Sequence, residues 1–167
     1  MANVDHPKGF KVFGPRGSVS PYTKTTAGAV FDGDLVDVTA TDSPGTIGAA
    51  AAGSVQLLGA SEVYSAAGTA ATLLIVDDPD QKFVGQEDSG GGNLALTDLM
   101  ENADHLATTG STTTGKSAHE IDSSSADPAT FGLRLLDLLN NPANAVGANA
   151  QYVCRINEHH LTKLAGI

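Results

Sequence analysis

The sequence predicts an all-β, mainly antiparallel fold with one short helix and an extended N-terminal arm. Three observations predict it. Thr72 to Asp88 reads as strand, turn, strand: the β-branched and Leu run Thr72 to Val76 stops at Asp77-Asp78-Pro79-Asp80, and Lys82 to Glu87 follows. The composition, with 19 Gly, no Trp and abundant Ser and Thr, belongs to short strands and loops rather than long helices. Elsewhere, short apolar runs end repeatedly at Gly, Pro and Asp.

Residues 1–28 mix Gly9, Gly14, Pro15, Gly17 and Pro21 with Phe10, Val12, Phe13 and Tyr22. That is too broken for regular structure and too aromatic for a passive tail, so an arm lying on its own body, a neighbouring copy or another protein is expected. Residues 29–167 form the single β-rich domain. Ala29 to Thr41 holds its first strand, with an Asp32-Gly33 turn, and Asp42-Ser-Pro-Gly45 ends it. A second strand runs from Thr46 to Ala50. A third, Val55 to Ser65, breaks at Gly59.

Thr72 to Val76 is then expected to be buried on both faces and to pair with Lys82 to Glu87 as a hairpin, Pro79 and the flanking acids forming the tip. Ser89 to Gly92 is a hinge. Asn93 to His105 is the helix candidate, with Asn93 as cap and Leu94, Leu96, Leu99 and Met100 on a partial stripe. Residues 107–127, rich in Thr, Ser and Gly, read as an exposed loop or a weak polar strand pair. Phe131 to Leu139 is a strand closed by Asn140-Asn-Pro142, Gln151 to Asn157 pairs back on it, and His159 to Ile167 is a tail.

The net charge is −10, unevenly spread. Residues 1–28 hold four basic residues against Asp5 alone, +3, which leaves −13 for the remainder. An acidic body without a basic, aromatic-interleaved patch argues against nucleic acid as a partner, while a basic arm suits an acidic protein surface. No run approaches a membrane span or a leader's apolar segment, so a protein made in the cytoplasm, with no membrane partner, is expected. Cys154, the one cysteine, excludes an internal disulfide and alternates into a core position.

Asp77, Asp78, Asp80, Glu87 and Asp88 supply oxygen ligands, but without the alternate spacing and central Gly of a calcium loop they read as a solvated turn, and no metal is expected. Gly110-Ser-Thr-Thr-Thr-Gly-Lys-Ser117 matches the phosphate-loop pattern G-x-x-x-x-G-K-[ST]. That loop needs a buried strand before it and a helix after it, and both neighbours are polar here. An acid for Mg²⁺ stands only upstream, at Asp77 or Asp78. His105, His119, His159 and His160 fall in polar or terminal stretches and read as surface residues, and no carboxylate pair marks an acid–base couple, so neither enzyme activity nor a cofactor is expected.

Several segments together resemble the small head decoration (cement) proteins of tailed bacteriophages. They are Met1-Ala-Asn-Val-Asp-His-Pro-Lys-Gly-Phe10, Gly33-Asp-Leu-Val36 with Leu57-Leu-Gly-Ala60, Val76-Asp-Asp-Pro-Asp80 with Phe83 and Gln86-Glu-Asp88, Thr112 to Ser117, Asp122 to Ser125, Asn141-Pro142, Gly147 to Ala150 and Val153 to Asn157. The resemblance implies a β-barrel or β-tulip-like body on the capsid's outer surface, often trimeric, clamping neighbouring major capsid subunits. A phage head fibre or receptor-binding accessory is the alternative. Few aromatics, five Phe and three Tyr, suit such self-association as a homotrimer. Within that reading Phe10, Phe13 and Tyr22 are the arm's interface anchors and Lys8, Lys11 and Arg16 face acidic partner groups, so removing residues 2–20 is expected to leave the body folded.

Overall fold

A computed structural model describes residues 3–25, 27–38, 45–126 and 130–162. In the first half of the chain the strands are β1 (Lys11–Phe13), β2 (Val19–Lys24), β3 (Leu35–Val38), β4 (Thr46–Ala49), β5 (Gln56–Leu57), β6 (Gly59–Ser61) and β7 (Ala71–Val76). There follow β8 (Lys82–Gln86), β9 (Asn102–Ala103), β10 (His105–Leu106), β11 (Glu120–Ile121), β12 (Leu133–Leu138), β13 (Gln151–Ile156) and β14 (Glu158–His159). The fold is all-β. Strands β2-β4-β3-β6-β7 close into a barrel, and β1-β8-β13-β12-β9 form an open antiparallel sheet.

Two cores result. Val30, Val36, Ile47, Leu58, Leu73 and Ile75 pack together on the inward positions of the barrel strands. Leu35, Leu57, Ala60 and Val76, from the barrel's other face, join Phe10, Phe83, Leu133, Leu135, Tyr152 and Cys154 beneath the open sheet. One face of the sheet therefore covers the side of the barrel.

The stretch Thr72 to Asp88 forms two strands but not a hairpin. Strand β7 has both edges occupied inside the barrel, by β2 and β6, whereas β8 lies between β1 and β13 in the other sheet. Barrel closure, not the turn, decides the partner. Nor is β7 buried on both faces, since Thr72 and Leu74 face solvent while Leu73 and Ile75 face inward.

The true partner of this stretch is the N-terminal segment, which was expected to lack regular structure. Strand β1 pairs with β8 and β2 with β7 in one continuous register, with Phe13 opposite Lys82 and Val19 opposite Val76. Residues 11–24 and 71–84 thus make a two-stranded ribbon that bends at 14–18 and 77–81 and passes from sheet to barrel. The acids of the tip hold the bend. Asp77 accepts hydrogen bonds from Ser18 Oγ (2.9 Å) and Tyr22 OH (2.8 Å), and buried Gln81 accepts from Gly17 N (2.8 Å).

The expected strand from Ala29 narrows to β3 after the Asp32-Gly33 turn, and its proposed stop at Asp42 to Pro44 lies outside the described residues. The break in the third strand falls at Leu58, whose N–H turns to Val36 O at 2.9 Å. The helix expected over Asn93 to His105 contracts to one 3₁₀ turn, Leu96–Asp98, because Asn102 and His105 are drawn into β9 and β10. The polar 107–127 segment begins just after β10 and contains β11, which pairs back on β10. Gln151 to Asn157 pairs back on 131–139 as expected, with a bulge between Leu135 and Asp137. The start of the supposed tail is β14, parallel to β5.

Candidate functional site

The six proposed anchor residues separate into three groups. Phe10 is 1% exposed and belongs to the core beneath the sheet, so it cannot anchor a partner. Gly85 makes the room, because a Cβ there would sit 2.6 Å from the Phe10 ring. Tyr22 is spent on Asp77. Lys11 pairs with Asp32 at 2.5 Å and Arg16 pairs with Glu62, so the acidic groups they face belong to the same chain. Lys8 and Phe13, the latter 40% exposed, point outward, as does the Arg16 side chain beside Glu62.

The Gly110–Ser117 loop explains its own letters by packing. At Gly110 a Cβ would lie 2.6 Å from the Phe31 ring; Gly115 has φ +69° and lies on Tyr64. Phe31 and Tyr64 are themselves stacked, 5.1 Å apart. The two glycines therefore let the loop sit over this aromatic pair. Five of its amides are engaged internally: Ser111 N donates to Lys116 O (2.9 Å), Gly115 N to Ser111 O (2.7 Å) and Ser117 N to Asp32 O (3.0 Å). Thr114 N and Lys116 N donate to the Ser111 and Thr114 hydroxyls. With these five amides turned inward, the loop does not assemble the convergent N–H set of a phosphate loop, and strand β11 rather than a helix follows.

Lys116 Nζ binds Asp32, which Lys11 also binds. Burial pushes the Asp32 carboxyl up, but these two lysines outweigh it and hold the group below its ordinary value. Around this triad lies a cavity of about 670 Å³, lined by Lys8, Lys11, Lys116 and His6 together with Pro7, Ala118 and the threonines of the loop. Asp32 and Lys116 are far apart in sequence, so their pairing was not legible there.

Three of the four histidines expected at the surface are buried, and the fourth, His160, is half-buried with Nε2 2.7 Å from Asp37 Oδ1. His105, His119 and His159 are 1%, 3% and 2% exposed. His119 Nδ1 accepts from Leu35 N (3.3 Å), its Nε2 stands 3.4 Å from Asp34 Oδ1, and its ring lies 5.7 Å from that of His105. Burial drives the His119 pKa down to about 3 and that of Asp34 up to about 6. The pair is sealed between the 31–35 turn and the 117–120 segment, where no substrate reaches it. The acids of the 77–88 stretch are likewise dispersed to separate partners: Glu87 accepts from Leu94 N (2.7 Å) and Asp88 from Ser123 N (2.9 Å).

A second surface feature lies on the outer face of the open sheet. Phe13, Met100, Leu136, Leu138 and Val153 floor a groove of about 490 Å³, rimmed by Asp80, Lys82, Asp137 and Arg155. Met100 is 58% exposed, and the bulge in β12 sets Asp137 opposite Val153, next to Leu136. No family model matches the chain, and no curated protein or solved structure matches it.

Proposed function

We propose that this chain is a structural virion protein that decorates the outside of a bacteriophage capsid and clamps neighbouring major capsid subunits. The observation that carries the reading is the groove on the open sheet, an apolar floor within a ring of mixed charge, which is how protein interfaces are built. The sequence resemblance to phage head decoration proteins supports it. Phe13 is the one aromatic anchor of the original set that remains outward, and it lies in this groove. A homotrimer places three such grooves on one three-fold position, so that modest contacts act together.

Imaging of particles assembled with and without the protein tests this reading. Added density at local three-fold positions of the outer surface is expected. Particles that never carry the protein overturn the function, and a monomer on the particle overturns the trimer. Phe13→Ala combined with Met100→Ala should lower occupancy about tenfold or more at an unchanged thermal midpoint, since an exposed anchor contributes to binding and little to folding.

A further inference from the structure

Nine basic residues stand against 19 acidic ones in this chain, yet three of the nine, Lys8, Lys11 and Lys116, line a single cavity that no acidic side chain lines. Two of those ammonium groups are held by Asp32, which lines the adjoining cavity. Each keeps N–H donors to spare, since an ammonium has three. The rest of the wall mixes Pro7 and Ala118 with His6 and the Thr and Ser residues of the loop, a part-apolar, part-hydroxyl lining suited to the body of a peptide rather than to a small hydrated ion.

We propose that this cavity, between the 6–11 segment and the 109–118 loop, is a docking site for an acidic peptide segment of a protein partner, one Asp or Glu carboxylate seating among Lys8, Lys11 and Lys116. Charge decides the occupant. A local excess of lysine on a chain of net charge −10 attracts carboxylates, and the volume of about 670 Å³ accommodates several side chains. Phosphate is the weaker candidate because the amides of Ser111, Thr114, Gly115, Lys116 and Ser117 are turned to internal acceptors and no helix begins at the loop. A backbone nest is what distinguishes phosphate sites from simple cationic ones. That the partner is a capsid subunit rests on the function proposed above; the cavity's preference for carboxylate does not.

Calorimetric titration of the full chain tests it. The probes are a capped peptide of alternating Glu, Ala and Asp, its Gln and Asn twin, inorganic phosphate and ATP. The acidic peptide should bind about tenfold tighter than its amide twin and weaken as salt rises. Lys116→Gln and, separately, Lys8→Gln should each weaken it about fivefold, the effect of one partly exposed ion pair. Lys8 is exposed, so its variant leaves the fold intact. Equal binding of both peptides, tighter binding of phosphate or ATP, no binding, or full binding by both variants overturns the proposal. Peptide binding without capsid decoration would refute the proposed function and leave the site standing; decoration unchanged in both lysine variants would leave the function standing and refute the capsid subunit as this site's partner.

Discussion

Inside the barrel, Val30, Val36, Ile47, Leu58, Leu73 and Ile75 form a core with no aromatic among its buried members, whereas the core beneath the open sheet is built on Phe10, Phe83 and Tyr152. The difference follows from closure. Five strands wrapped on themselves leave a narrow interior that branched aliphatic side chains fill, with no edge to protect. An open sheet has to cover one broad face, which takes rings, and it leaves the other face to solvent, where the apolar groove lies. Closure thus concentrates stability in the barrel, while the open sheet carries the surface left for partners.

The two regions also bury charge differently. At the end of β2, Lys24 is fully buried, and its ammonium donates to the carbonyls of Thr25 and Gly28 at 2.9 Å and of Ala66 at 3.2 Å. On the sheet side, Glu87 is equally buried but Oε1 has no partner, so burial raises its pKa to about 7. One charge is satisfied by three carbonyls, and the other is only half satisfied.

The largest test of the comparison is to remove what the two regions share. Deleting residues 2–20 takes away β1, the start of β2 and Phe10, so neither barrel nor sheet can close and cooperative unfolding should vanish from calorimetry. A truncated chain that melts cooperatively would show that the ribbon is dispensable. Next is Phe10→Ala, expected to destabilise by about 3–5 kcal/mol because it leaves a ring-sized cavity beside Gly85; Ile75→Ala in the barrel should cost about 2–5 kcal/mol. Denaturant unfolding of both variants ranks the two cores.

Lys24→Met keeps the stem and removes the ammonium, stranding three carbonyls, and a loss of about 1–3 kcal/mol is expected. An unchanged midpoint would mean that the barrel end does not need the charge. The smallest effect concerns Glu87. A carboxyl whose pKa is higher folded than unfolded binds its proton more tightly in the fold. Its contribution is therefore greatest below the ordinary value of 4.5 and is lost as pH rises through about 7. His119, driven down to about 3, acts oppositely between there and 6.5, so the window upward from pH 6.5 is free of it. Glu120, which burial also raises to about 7, titrates there in the same direction as Glu87, and the Glu87→Gln variant separates the two. From there to about pH 8 the thermal midpoint should fall, and Glu87→Gln should flatten the slope and gain about 1 kcal/mol at the upper end. A midpoint of Glu87→Gln that tracks the parent over that window would show that Glu87 does not titrate there.

The β class, most strand positions, the core placement of Cys154 and the pairing of 131–139 with 151–157 were legible in the sequence, because apolar runs and the residues that stop them are local signals. The pairing of 71–76 was not, since a turn proposes a neighbour and only barrel closure shows that both edges are taken. The N-terminal segment looked like an arm because its Gly and Pro break it. Those breaks mark the bend of a ribbon whose partner lies some sixty residues away. Likewise the sequence marked Gly110, Gly115 and Lys116 as a phosphate motif, His105 and His119 as surface residues, and Phe10 as an anchor. Tertiary packing made the glycines seats for Phe31 and Tyr64, buried the histidines, and turned Phe10 inward over Gly85. Periodicity records which side chains are apolar along one strand, whereas burial depends on which distant strand arrives to cover them.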